Sequence, residues 1–248
     1  MRKTLIAALG GIVALSFGVA SATGQTAPGG ATVDPTFSPS KAGTKKKPRP
    51  TKLTLKVVNE DDSQTASRIV INLPKNLKIS TKGLGKCSAS KLASQGPSAC
   101  PKSSRVGSGT AHARVNVNDS NTAGKYSVFD VNAVVTGSNK LDFHLALQGL
   151  ELEVVAKGTL KSASGRYGKK LDVILPQEAQ NYLGAYNGFK DLDVSMYKKI
   201  KRNSLFRLDG CPTNRQLPFK VDITYVSNPA PPKAALVSAD GAANCTRP

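Results

Sequence analysis

The residues of this 248-residue chain that could do chemistry are few: two histidines, sixteen carboxylates and four cysteines, with no tryptophan. Asp142 and His144 stand two residues apart on one face of an alternating segment, where they could in principle serve as a base and its orienter. No serine has glycine at both −2 and +2, so the nucleophile elbow that would complete such a site is missing. The pair therefore reads first as solvated groups on a polar strand face, as does His112 on its own strand. Glu151 with Glu153, and Asp191 with Asp193, are spaced like glycosidase carboxylate pairs. Alternation puts polar residues on one face in any case, and a sugar cleft would want tryptophan platforms. The run from Asp119 to Asp130 partly mimics a calcium loop. Ala123 holds a ligand position there, and the turn residues favour a hairpin connection instead. Gly107-Ser108-Gly109 lacks the Lys-Ser/Thr and the helix of a phosphate loop and reads as a bend or bulge in a strand. No two cysteines form a CxxC, and neither histidine lies at finger spacing from them, so no metal site is expected. No cofactor motif is present.

What remains is charge. Thirty-five Lys and Arg oppose sixteen Asp and Glu, a net +19. Lys45, Lys46, Lys47 and Arg49 form one compact basic run, and Lys198, Lys199, Lys201 and Arg202 form a second. Each alone fits a solvated surface; together they are the candidate polyanion-binding residues. Seven Phe and six Tyr, none interleaved with the runs, argue against specific nucleic-acid readout.

The elements that must carry these residues begin with an export signal. Arg2 and Lys3, the apolar stretch Leu5 to Val19, and Ala20-Ser21-Ala22 fit a signal peptide over residues 1–22. The apolar stretch is shorter than the roughly 20 residues of a membrane span, so no transmembrane anchor is expected after cleavage. Residues 23–50 are rich in Gly, Pro, Thr, Ser and Lys and read as a flexible basic tether. Residues 51–248 suffice for a single domain.

Alternation of period two dominates that domain. Leu53, Leu55 and Val57 oppose Lys52, Thr54 and Lys56; Ala111 to Val117, Leu141 to Leu147 and Phe219 to Tyr225 repeat the pattern. Further strands are expected over 67–73, 126–135, 151–161, 169–175 and 190–197. Short strands at near-regular spacing predict an all-β fold, an antiparallel β-sandwich. Ser88 to Gln95 breaks the rhythm with a Ser N-cap and a Gly96-Pro97 stop, predicting one short helix. Residues 177–188 fit either a helix or an aromatic loop. Export makes disulfides the default. Cys87 and Cys100 enclose the helical insert, while Cys211 and Cys245 bracket a terminal hairpin, so sequential pairing is favoured over the two crossed arrangements.

The stretch IVINLPKNLKISTKGLGKCSASKLASQGPSACPKSSRVGSGTA, Ile69 to Ala111, combines an LPK turn, a Cys, a short helix, a GPxACP segment and a VGSG strand entry. With LDGCPTNRQLPFKVDITY and the distant Cys245, it resembles a signature of secreted, largely uncharacterised actinobacterial β-rich proteins. The resemblance implies an exported β-sandwich with two local disulfides and brings no catalytic residues with it.

The sequence thus predicts an exported, non-enzymatic protein, secreted or cell-wall associated. Its expected partners are anionic wall polymers or lipid head groups. A secreted hydrolase near Asp142 and His144, or a protein-interaction module, are the alternatives.

Overall fold

The computed structural model describes residues 30–232 and 235–248. The export signal over residues 1–22 lies outside them. Eleven strands build one antiparallel sheet: β1 (Ala31–Ser38), β2 (Lys52–Asn59), β3 (Thr65–Pro74), β4 (Arg105–Arg114), β5 (Tyr126–Gly137) and β6 (Lys140–Leu147). They are followed by β7 (Glu153–Ser162), β8 (Tyr167–Ile174), β9 (Gly188–Met196), β10 (Gln216–Val226) and β11 (Leu236–Asn244). The order across the sheet is β1-β2-β9-β4-β5-β6-β7-β8-β3-β10-β11.

The all-β, antiparallel fold expected from alternation is present. Its facing walls belong to one continuous sheet that wraps, barrel-like, around a common core. An odd number of alternating strands leaves the first and the last pointing the same way, so the seam between β1 and β11 must be parallel. A parallel bridge between Lys41 and Thr246 marks it. The inward residues Leu53, Leu55, Val57, Ile71, Val131, Leu141, Phe219 and Ile223 are buried in one cluster drawn from every wall. Gly109 lets β4 approach β9, because a Cβ there would collide with the carbonyl of Asp193. The glycine pair expected to bend or bulge a strand lies in β4, beside a register shift between Arg105 and Gly107.

The tether expected over residues 23–50 is corrected by the structure from Gly30 onward; residues 23–29 lie outside the described residues. Ala31–Ser38 is a full strand, paired with β2 from Ala31↔Asn59 to Ser38↔Lys52. Ala31, Val33 and Phe37 alternate into the core; proline and threonine between them hid a period of two. Pro35, which lacks an amide hydrogen, is tolerated because β1 has a ladder on one side only. The following loop is anchored by Ala42, whose amide donates to the Thr246 carbonyl at 2.9 Å.

Helix α1 (Ala89–Gln95) forms where the cap signals put it. Ser88 Oγ accepts from the Lys91 amide at 3.2 Å, and Gly96 at φ +68° ends the helix. The disulfides are Cys87–Cys100 and Cys211–Cys245, the sequential pairing expected. Residues 177–188 are neither one helix nor one loop. They hold a single turn, α2 (Gln177–Gln180), then a tight hairpin pairing Asn181 with Tyr186 and Tyr182 with Ala185, before entering β9.

Candidate functional site

Strand direction sorts the connections into two ends. At one end lie residues 39–51, 75–86, 101–104, 163–166, 197–215 and 245–248. They carry eighteen Lys and Arg and one carboxylate side chain, Asp209. At the other end, connections 60–64, 115–125, 148–152 and 175–187 carry six carboxylates and one lysine. The protein is therefore polarised along its axis, with the excess cations gathered at one end.

Both basic runs named from sequence sit at the cationic end, although about 150 residues separate them. A small three-stranded sheet brings them together. Phe206–Leu208 pairs with Arg49–Pro50 on one side and with Leu77–Ile79 on the other. The Gly43 amide donates to the Leu208 carbonyl at 3.0 Å, and the Leu205 amide to Lys198 at 2.9 Å. Lys199–Ile200 and Asn203–Ser204 fold into a hairpin that holds Lys201 and Arg202 out into solvent. Lys45, Lys46, Lys47, Arg49, Lys199, Lys201 and Arg202 are all exposed, and Lys198 is half-buried. Of the eighteen cations, only Lys78 (with Asp209) and Arg166 (with Asp240) find a carboxylate among the described residues. Such a surface keeps its positive potential instead of neutralising it internally.

A shallow, solvent-open depression lies beside this end. Lys52, Lys102, Arg105 and Lys198 surround a cleft of about 500 Å³ with Ser108, Asn132, Ser195 and the exposed Tyr197. The register explains the hydroxyl and amide row: Ser195 pairs with Ser108 and Ser108 with Asn132 across three neighbouring strands. Lys198 Nζ already donates to the Lys102 carbonyl at 2.5 Å and Ser195 Oγ shares a 2.7 Å hydrogen bond with Thr54 Oγ1, so an oxyanion here would be drawn by the four cations and met by Ser108 and Asn132. The sequence named only Lys198 of this group. Lys52, Lys102 and Arg105 were missed because each is a single cation within or next to a strand, and only the register gathers them.

The other candidate residues are dispersed. Asp142 and His144 are buried, at 4% and 2% exposure, which corrects the solvated face expected for them. Their strand face is covered by the Cys87–Cys100 excursion, with Leu92 of α1 packed against Val134 and Val155. Asp142 accepts from Thr136 Oγ1 at 2.7 Å and from the Gly158 amide at 3.1 Å. His144 Nε2 instead faces Glu153 at 3.0 Å. The two residues are thus not hydrogen-bonded to each other. His112 Nδ1 meets Asp191 at 2.6 Å on another part of the wall. Asp119 caps a short turn over Ser120–Thr122, the connection expected in place of a calcium loop. Glu151 lies in the connection before β7, not on a strand face with Glu153.

Among the described residues, no cluster of three or more His, Cys, Asp or Glu is arranged to hold a metal ion. No helix among them is long and apolar enough to cross a membrane. Two disulfides fit an oxidising compartment. Comparison of the chain with family models, with curated proteins and with solved structures returns no match.

Proposed function

We propose that this is an exported, non-catalytic envelope protein that docks through its cationic end onto phosphate-bearing anionic surfaces, wall polymers or lipid head groups. The observation that carries the reading is the gathering of eighteen Lys and Arg at one end, sixteen of them without a carboxylate partner among the described residues. Summed Coulomb attraction over such a surface is strong at low salt and is screened over about 8 Å at physiological ionic strength. The cleft of Lys52, Lys102, Arg105 and Lys198 supplies a place for one phosphate group to be held directly. The amino-terminal export signal and the resemblance to secreted actinobacterial proteins support the address.

The test is co-sedimentation of the mature protein with anionic vesicles, zwitterionic vesicles and purified anionic wall polymer, from low to moderate salt. Binding to an anionic surface that weakens steeply with salt is expected, and the two anionic arms identify which surface is preferred. Replacing Lys198, Lys199, Lys201 and Arg202 with Gln should weaken it, as should Gln at Lys45, Lys46, Lys47 and Arg49. Lys125→Gln, at the opposite end, should leave it unchanged. Absence of binding at low salt, or binding indifferent to salt, would overturn the reading.

A further inference from the structure

The opposite end of the barrel has a different character. Eight strands enclose an interior that side chains just fill, and cross-section grows with strand number. Eleven strands therefore need large inward residues throughout. Near the acidic end the inward positions include Ala66, Ala111 and Ala156, and a partly open apolar pocket of about 100 Å³ remains beneath them. Ile71, Val131 and Phe143 contribute to its wall. Its two most polar lining residues are already engaged: Asn187 Nδ2 donates to the Ala179 carbonyl at 3.2 Å, and His112 Nδ1 is held by Asp191. The other lining residues are alanines, aliphatic side chains, three phenylalanines and a methionine, so the wall is hydrocarbon apart from those two groups. A water would find few of the polar partners it needs, and a charged ligand would lose its hydration without replacement.

The cover of this cavity is a separate small unit. Ala179 of α2 faces it, Gln180 Nε2 ties α2 to the Leu175 carbonyl at 2.8 Å, and the Asn187 amide returns to the Gln180 carbonyl at 2.8 Å. The hairpin beyond α2 presents Leu183 at 90% exposure. Among the described residues, seven of the eight exposed large hydrophobic side chains lie at this end; Tyr197 is the exception. The apolar surface thus surrounds the cover, while six carboxylates in the same connections repel an anionic head group.

We propose that the interior beneath α2 is a binding site for a small uncharged apolar molecule, of the size of a benzene ring or a short alkyl segment. A dry, apolar cavity of about 150 Å³ is known to admit benzene, so the volume is on the right scale. The neutral lining and the acidic rim together exclude fatty acids and phosphate esters. The site is independent of the cationic end and stands whether or not that end binds an anionic surface.

The probes are benzene and toluene, with benzoate as the charged control, added to the mature protein. Methyl NMR of Ile71, Val131 and Val173 and the melting temperature are read together. Saturable shifts of those methyls and a raised melting temperature are expected with the neutral probes and not with benzoate. Ala156→Leu, which fills the cavity, should weaken binding at least tenfold while circular dichroism stays that of the parent. Ala111→Ile gives a second filling variant should Leu at position 156 prevent folding. No saturable shift with either neutral probe, equal binding of benzoate, or undiminished binding in the folded filled variant would each overturn the proposal.

Discussion

Val33 and Gly241 meet at the seam between the first and last strands, where a Cβ on Gly241 would collide with the Val33 carbonyl oxygen. No ladder of hydrogen bonds joins β1 to β11 along this stretch, so close packing holds the sheet together there. Gly241→Ala should push the two strands apart and lower stability by about 2–3 kcal/mol. Denaturant melts would measure it, and hydrogen exchange should rise first in β1. A variant as stable as the parent would show that the seam tolerates separation.

Asp172 is buried between two half-exposed cations. Arg68 Nε and Lys161 Nζ each approach it to 2.6 Å, and the Arg68 hydrogen bond, with help from Lys161, holds its pKa down to about 2. A depressed carboxylate contributes stability above its unfolded pKa near 4, and that contribution is lost as pH falls toward 2. Asp172→Asn should cost about 1–2 kcal/mol at pH 6, reduced from the full linkage value because both cations are partly solvated. The gap between variant and parent should close as the pH approaches 2.

Tyr225 donates to Asn59 Oδ1 at 2.7 Å, while Asn59 Nδ2 reaches the carbonyls of Asp61 and Phe189 at 2.8 and 2.7 Å. One amide thereby ties β2, β9 and β10 together. Tyr225→Phe leaves Asn59 Oδ1 without its donor in the core and should cost about 1–2 kcal/mol. Burial pushes the Tyr225 phenol up to about 12. The folded state therefore holds a proton that the unfolded chain releases near pH 10, and this part of the stability falls as pH rises through 10 toward 12. Ultraviolet titration should find the last phenol to ionise in the parent missing from the variant, while the smaller upward shifts of Tyr126 and Tyr167 stay.

Cys87 and Cys100 close a short loop whose contents lie on the outer wall, away from the main core. Closing a loop of this length stabilises the fold by about 3 kcal/mol in the chain-entropy account. Replacing both with Ser should leave the far-ultraviolet spectrum of the sheet intact. It should expose the Leu92 amide to exchange and uncover His144. Global unfolding at the same denaturant concentration as the parent would show that the excursion is only weakly coupled to the barrel.

The sequence by itself determined what periodicity and local chemistry can express. Leu53, Leu55 and Val57 had to face a core because a strand has only two sides. Ser88 and Gly96 mark the bounds of a helix because each satisfies one of its ends, and sequential pairing of the cysteines was favoured because shorter loops close more easily. Tertiary structure decided what lies against the other side. Asp142 and His144 occupy the polar face, as alternation requires, yet they are buried because α1 folds back over that face. Ala31 to Phe37 form a strand despite a composition rich in Thr and Pro, because pairing with β2 and burial in the common core outweigh weak local preference. Lys45 and Lys198 share one end, and Lys52, Lys102 and Arg105 join Lys198 around a cleft, because strand register brings together positions far apart in sequence. The cavity beneath α2 follows from the number of strands around it, a property that no single segment carries.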